Sequence, residues 1–186
     1  MDVIEALRTR RSIGKLDGAV TDDDLRSLVD AALCAPNHKL TQPWRFTVVR
    51  GEARRRLGAV WAGLAAASSP LDGTLREDFI AREAAKPLRA PALLFVSTTT
   101  APDAVVATED FAATSAAVQN VLLAAHARGL GAIWRTGAMA YQAKIKAHLG
   151  LSLDDRIVAI VYIGRPAMRV PAERPRDVGA VLHELE

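Results

Sequence analysis

The most apolar stretch of the chain, residues 111–127, constrains the fold more than any other feature of the sequence. Polar side chains interrupt it, and charged residues flank it on both sides. A stretch this short and this polar does not span a bilayer, so it predicts a long helix buried inside the protein rather than a membrane segment. The helix is expected to begin near Asp103 and to end at Arg128, with Gly129 closing it.

Helical patterns and β-prone runs alternate along the rest of the chain. Two continuous apolar, β-branched runs predict buried strands at 92–99 and 157–163. Other strands are expected at 44–49 and 132–135, and helices at 3–9, 22–34, 52–67, 75–86, 141–149 and 178–185. This alternation predicts one domain over residues 1–186, of α/β or α+β type, with helices covering a sheet.

The composition is that of a soluble globular protein, with 50% apolar and 24% charged residues. Arg54, Arg55 and Arg56 are predicted on the solvent face of a helix, and without interleaved aromatic residues they do not favour nucleic-acid binding. The single cysteine, Cys34, excludes an intramolecular disulfide and fits a reducing compartment. Since the first residues also lack a signal-peptide pattern, we expect a cytoplasmic protein.

The common catalytic signatures are absent from the sequence. It contains no G-x-S-x-G motif, no Walker phosphate loop and no H-E-x-x-H zinc motif. The four histidines are too dispersed to predict a metal site. If the chain is an enzyme, a bound cofactor is therefore expected to supply the chemistry.

Three short segments carry residues suited to ligand binding. Arg10, Arg11 and Ser12 can hold a phosphate through charge-assisted bonds, or they are solvated groups at a helix end. The segment 35–44 has two prolines and several donors, and it either meets a planar polar ligand or is an ordinary connection. The segment 131–137 places a Trp-Arg-Thr step at the end of a strand, where ligands bind in α/β folds. The alternative for this step is a core tryptophan followed by a surface arginine.

Taken together and in this order, the segments resemble the nitroreductase family of FMN enzymes. The likeness covers nearly the whole chain and includes the long helix with the Arg-Gly-Leu-Gly that follows it. It looks closest to a compact branch with A-P-D-H-K before Q-P-W and W-R-S after the long helix, which read A-P-N-H-K and W-R-T here. The resemblance implies an α+β three-layer sandwich, in which helices flank a central, mainly antiparallel sheet.

The resemblance also implies a homodimer with two sites for tightly bound FMN at the subunit interface, and NAD(P)H as the co-substrate. By this analogy Arg10, Arg11 and Ser12 hold the phosphate and ribityl end of the flavin. Asn37 and His38 approach the flavin from the partner chain.

Trp134, Arg135 and Thr136 would line the ring or the phosphate on the first chain. Many relatives have a basic residue where Gly14 stands, so Lys15 is the expected cation near the flavin pyrimidine.

Other positions depart from the family or align less directly. Many relatives have serine at the place of Asn37 and asparagine at that of Leu40, so backbone amides and His38 are expected to replace those contacts. Cys34 lies just upstream of this loop and is expected either to approach the flavin or to be a buried apolar residue. Arg174 stands where larger relatives often place a late phosphate-binding basic residue.

The implied reaction is ping-pong hydride transfer from NAD(P)H through FMN to a small-molecule acceptor such as a nitroaromatic, quinone or enone. The protein then needs no nucleophile, because its task is to position the flavin and to stabilise negative charge on it. Two alternatives stay open. One is a dehydrogenase or flavin-fragmenting oxygenase on the same scaffold, and the other is a non-enzymatic FMN-binding or regulatory protein.

Overall fold

The computed structural model describes residues 1–170, 172 and 175–185. Its helices are α1 (Val3–Thr9), α2 (Asp22–Leu33), α3 (Glu52–Ser68), α4 (Gly73–Ala85), α5 (Ala104–Ala127) and α6 (Ala143–His148). Its strands are β1 (Leu16–Asp17), β2 (Trp44–Arg50), β3 (Ala92–Thr98), β4 (Gly131–Arg135) and β5 (Arg156–Pro166). Short 3-10 turns lie at His38–Leu40, Lys86–Arg89 and Ala138–Tyr141.

The five strands form one sheet in the order β1-β5-β3-β2, and β4 also pairs with β5. All of these pairings are antiparallel. Every residue of β3 is buried, as expected for a strand that is covered on both faces of the sheet. The continuous apolar run in the sequence therefore predicted its position correctly.

Helices cover both faces of this sheet. On one face, Leu28 of α2 and Val118 and Val121 of α5 share a buried cluster with Leu94 and Val96 of β3. On the other face, α3 and α6 form a second cluster with the alternate side chains of β3 and β5. The predicted three-layer α+β sandwich is confirmed, and α5 is the longest helix of the layer that it shares with α2.

The predicted limits of the long helix are confirmed by its caps. The Asp103 carboxylate accepts the backbone N–H groups of Val105 and Val106, at 2.8 and 3.0 Å. Gly129 follows the last turn with φ at +70°, a conformation that glycine adopts at little cost. No helix among the described residues is long and apolar enough to cross a membrane.

Three local predictions are wrong. Residues 178–185 form a single turn rather than a helix. Val181 of this segment is 77% exposed, so the segment has no buried apolar face that would stabilise a helix. The predicted helix 141–149 is shorter, because Tyr141 ends a separate 3-10 turn before α6 begins. Arg54 is half-buried instead of solvated, and its guanidinium donates to the Ala90 carbonyl at 2.5 Å.

A buried carboxylate, Asp24, ties α2 to two other elements. It accepts the backbone N–H of Thr21 at 3.0 Å in a capping box, and Arg128 and Arg165 each donate to it at 3.3 Å. The hydrogen bond from the Thr21 backbone is the main cause that lowers the pKa of Asp24 below its ordinary value of 3.8, and the two arginines lower it further.

Asp24→Asn is expected to lower the free energy of unfolding by about 1–3 kcal/mol at pH 7, because the amide loses the charge-assisted bonds. Since the pKa is depressed in the folded state, this stabilisation is present above pH 3.8 and is lost as the pH falls further. Urea unfolding at pH 7 and pH 3 measures the difference. Asp30→Asn, at an exposed position of the same helix, is the control. A difference that stayed constant down to pH 3 would contradict the role of the charge.

Candidate functional site

The Arg-Arg-Ser segment lies directly beside β4. The chain leaves α1 at Thr9, and Ser12 then forms a parallel bridge with Ala132 of β4. The backbone N–H of Ile13 donates to the Ala132 carbonyl at 3.1 Å. A Cβ atom at Gly131 would lie 3.2 Å from the Ile13 side chain and 2.6 Å from the end of the Leu16 side chain, so glycine gives this segment room beside β4. The fold thus brings together the first and third segments singled out in the sequence.

The two arginines of this corner have different surroundings. Arg11 donates from Nη1 to the carbonyls of Arg8 and Arg10, at 2.7 and 2.9 Å, and from Nε to that of Ala172 at 3.3 Å. Its guanidinium therefore fixes the backbone of the corner. Arg10 is half-buried at the same place, while Ser12 is exposed.

His126, near the end of α5, lies in the positive electrostatic potential of Arg10 and Arg11 at the corner. Its Nε2 lies 2.7 Å from the Thr9 hydroxyl. Burial lowers the pKa of His126, and the charges of Arg10 and Arg11 lower it further because they oppose its protonation. The same potential that disfavours a proton on this imidazole favours an anion such as a phosphate at the corner.

The end of β4 points its side chains to both faces of the sheet. The Trp134 indole is 36% exposed and donates to the Val158 carbonyl at 3.1 Å. Arg135 points to the opposite face, where its guanidinium lies 5.8 Å from the centre of the Tyr162 ring. Thr136 follows as an exposed residue. The tryptophan is thus neither a core residue nor fully solvated.

Arg135 and Thr136 line a pocket of about 300 Å³, here called the β4 pocket. Its wall also contains Glu83, Lys86 and Arg89, which come from α4 and the 3-10 turn before β3. Glu83 is 9% exposed and forms an ion pair with Lys86. The sequence analysis did not select these three residues, and their only signal was a pair of basic residues just before a buried strand.

Burial raises the pKa of Tyr162, at the floor of the β4 pocket, to about 12. The nearby Arg135 charge opposes this rise without reversing it. The phenol therefore keeps its proton at neutral pH and can serve only as a neutral hydrogen-bonding group.

The loop that carries Asn37 and His38 is built on strained backbone. Lys39, Leu40 and Gln42 have positive φ values of 52°, 53° and 44°, which residues other than glycine rarely adopt. The Asn37 side chain accepts the backbone N–H of Gln42 at 3.0 Å and thereby supports this shape. Leu40 is 80% exposed at the surface of the loop.

This loop lies at the opposite end of α5 from the Arg-Arg-Ser corner. His38 Nδ1 lies 2.6 Å from the carboxylate of Glu109, in the second turn of α5, whereas Thr9 contacts His126 in the last. Because an α-helix rises about 1.5 Å per residue, these two contacts are about 25 Å apart along the helix. A single chain therefore keeps the second segment away from the Arg-Arg-Ser corner, although Phe111, in the same part of α5 as Glu109, lines a pocket with Thr136 of the third segment.

A family model described as the nitroreductase family matches residues 7–165. The chain belongs to the nitroreductase family. YdjA of Escherichia coli strain K12 is 34% identical over 171 residues, and the match covers 91% of each chain. Its name places it provisionally among the NAD(P)H nitroreductases. The predicted family is confirmed, and this nitroreductase-family chain is an oxidoreductase.

Two solved structures of the family are also similar to the chain. A nitroreductase-like family protein from Bacillus cereus is 30% identical with a TM-score of 0.86, and the match covers 100% of this chain and 97% of that one. A protein from Desulfovibrio desulfuricans, named provisionally as a nitroreductase and solved in complex with FMN, is 29% identical with a TM-score of 0.72. That match covers 99% of this chain and 96% of the other.

The remaining predicted site residues of the chain lie apart from the β4 pocket. Lys15 is exposed, and its carbonyl accepts the backbone N–H of Ala167 at 3.0 Å. Cys34 is exposed, so the expectation of a buried cysteine is wrong. It lies at the end of α2 in an open apolar groove with Val3 and Leu123. Arg174 lies outside the described residues.

Proposed function

We propose that the chain is an FMN-dependent, NAD(P)H-oxidising enzyme that reduces nitroaromatics, quinones or related electrophiles. The observation that carries the proposal is the contact between the Arg-Arg-Ser corner and β4, which joins a cationic corner to a pocket at the end of the same strand. The donor groups available there suit a ligand with a phosphate at one end and a planar polar ring at the other. The FMN present in the Desulfovibrio relative agrees with this choice.

The Arg-Arg-Ser corner would hold the phosphate and ribityl end. Arg10 supplies the charge, Ser12 supplies an exposed hydroxyl, and Arg11 keeps the backbone in shape through its bonds to carbonyl oxygens. The charges of Arg10 and Arg11 support this assignment, because they lower the pKa of His126 further than burial alone does and a phosphate would neutralise them.

The β4 pocket would hold the ring end, with Arg135 and Thr136 in its wall and Trp134 on the other face of β4. When bound there, FMN would take a hydride from NAD(P)H and pass the electrons to the acceptor. Three cations, Lys86, Arg89 and Arg135, line the pocket with one carboxylate and would stabilise negative charge on the ring. They would take the role of the cation near the flavin pyrimidine that the sequence analysis gave to Lys15.

The active form would be a homodimer with flavin sites at the subunit interface. A second copy with its α5 antiparallel to the first would bring its Asn37 and His38 toward the corner at the other end of the helix. The exposed apolar side chains of α1 support an interface here, since Val3 is 66%, Ile4 53% and Leu7 49% exposed.

The purified protein is expected to be yellow, to release FMN on denaturation and to lose its colour anaerobically when NADH or NADPH is added. A colourless protein that FMN does not reconstitute would overturn the proposal. Acceptors are then compared by turnover, and loss of the flavin itself in oxygen would point to the flavin-fragmenting alternative. Flavin that binds but is not reduced by either nucleotide would indicate a non-enzymatic role.

A further inference from the structure

A second, smaller pocket lies next to the β4 pocket and shares Thr136 with it. Its volume is about 130 Å³, and we call it the Arg156 pocket. Phe111, Tyr141, Lys146 and Arg156 supply its aromatic and charged groups, over an apolar wall made by the first residues of β5. A cavity of about 150 Å³ accommodates one benzene molecule, so this pocket, at about 130 Å³, has room for a carboxylate and part of one aromatic ring.

The Arg156 guanidinium is oriented by an aromatic ring. It lies 4.4 Å from the centre of the Phe111 ring, a cation–π contact that uses the face of the group and leaves its N–H edge available. Among the described residues, Arg156 has neither a hydrogen-bond acceptor nor an ion-pair partner for its side chain. The neighbouring Asp155 instead accepts the backbone N–H of Ser152 at 3.2 Å.

The Lys146 ammonium is the second cation of the pocket. One of its N–H groups donates a hydrogen bond to the Leu153 carbonyl at 2.6 Å, which holds the side chain in place. The other two N–H groups are available to a ligand. No carboxylate belongs to the pocket wall, so the two positive charges are not neutralised within it. A concave surface with two cations and two aromatic rings favours a planar ligand that carries one negative charge.

We propose that the Arg156 pocket binds the carboxylate of a single-ring aromatic acid, and that acceptors of this class are preferred over neutral ones. Arg156 can meet a carboxylate with two parallel N–H groups, and Lys146 adds a point charge beside it. Because Thr136 belongs to both pockets, such an acceptor lies next to the ring site. The claim that the bound acid is an electron acceptor rests on the proposed function. The claim that the pocket binds an aromatic carboxylate does not depend on it.

Equilibrium binding of benzoate to the full-length protein, followed by NMR titration, tests the site without turnover. Arg156→Gln and Lys146→Gln are each expected to raise the dissociation constant about threefold to tenfold, a modest effect because both cations are partly exposed. Lys144→Gln, at an exposed position two residues away on the same helix, is the matched control and should have no effect. Benzamide, which has the same shape without the charge, should bind the three variants and the wild type equally.

Turnover then separates the two proposals. With 4-nitrobenzoate the Arg156→Gln and Lys146→Gln variants are expected to show a raised KM, while 4-nitrobenzamide keeps its KM and both variants keep their FMN content. The Arg156 pocket would be overturned as a carboxylate site if these substitutions left benzoate binding unchanged. The same conclusion would follow if they weakened benzoate binding and benzamide binding to the same extent. Benzoate binding that depends on Arg156 in a protein that FMN does not reconstitute would overturn the proposed function and leave this site standing.

Discussion

Replacement of Arg10 by alanine is expected to weaken FMN binding by about 10- to 150-fold. Loss of one charge-assisted hydrogen bond costs about 1.5–3 kcal/mol, and each 1.4 kcal/mol is a factor of ten in affinity. Arg10 is half-buried beside His126, so its charge is less screened by solvent than that of a surface arginine. Titration of the flavin-free protein with FMN, followed by flavin fluorescence, measures the change.

Riboflavin provides the internal control for this experiment because it has the same ring without the phosphate. Its affinity should be nearly the same for the wild type and Arg10→Ala. Arg56→Ala, which removes an exposed arginine from α3, should change neither affinity. If Arg10→Ala weakened riboflavin and FMN equally, Arg10 would act on the fold of the corner. An unchanged FMN affinity would place the phosphate elsewhere.

The sequence was sufficient to predict the elements whose signals are local. The long helix was predicted within about one residue at each end because an aspartate cap and a left-handed glycine mark its limits. The buried strand β3 was predicted from its unbroken apolar run. The tail at 178–185 was predicted wrongly, since its apolar spacing suits a helix but nothing in the described structure buries that face.

The wall of the β4 pocket could not be predicted in the same way. Lys86 and Arg89 stand at the end of a helical pattern, where basic side chains are common because they interact favourably with the helix dipole. Only the three-dimensional fold places them opposite Arg135, which is about fifty residues later in the chain. Long-range proximity of this kind leaves no pattern in the local sequence.

The conformation of the loop before Trp44 was equally inaccessible to sequence reasoning. Positive φ angles are normally marked by glycine, but here they occur at Lys39, Leu40 and Gln42. The loop was singled out by its prolines and polar donors, and its strained backbone agrees with a functional role. Its distance from the Arg-Arg-Ser corner then makes the interface between two copies the central question about this site.

Leu123→Glu is expected to dissociate the proposed homodimer and, with it, to remove the bound flavin. Leu123 lies on α5 in the apolar groove of about 330 Å³ that also contains Val3 and Cys34. An unpaired charge buried at an interface costs about 3–5 kcal/mol, so the dimer dissociation constant should rise by about 150- to 4,000-fold. Sedimentation velocity gives the oligomeric state, and absorbance of the same samples gives the flavin content.

Two further variants make the result decisive. Leu75→Glu introduces the same charge at a leucine of α4 that is 67% exposed, and it should leave both the dimer and the flavin intact. Val3→Glu changes a residue that is 66% exposed in a single chain, so it tests the groove without disturbing the core.

Since Asn37 and His38 lie about 25 Å along α5 from the corner, a shared site requires that flavin affinity fall together with dimer affinity. A folded monomer that keeps full FMN affinity would show that one chain suffices, and an undisturbed dimer in both groove variants would move the interface to another face.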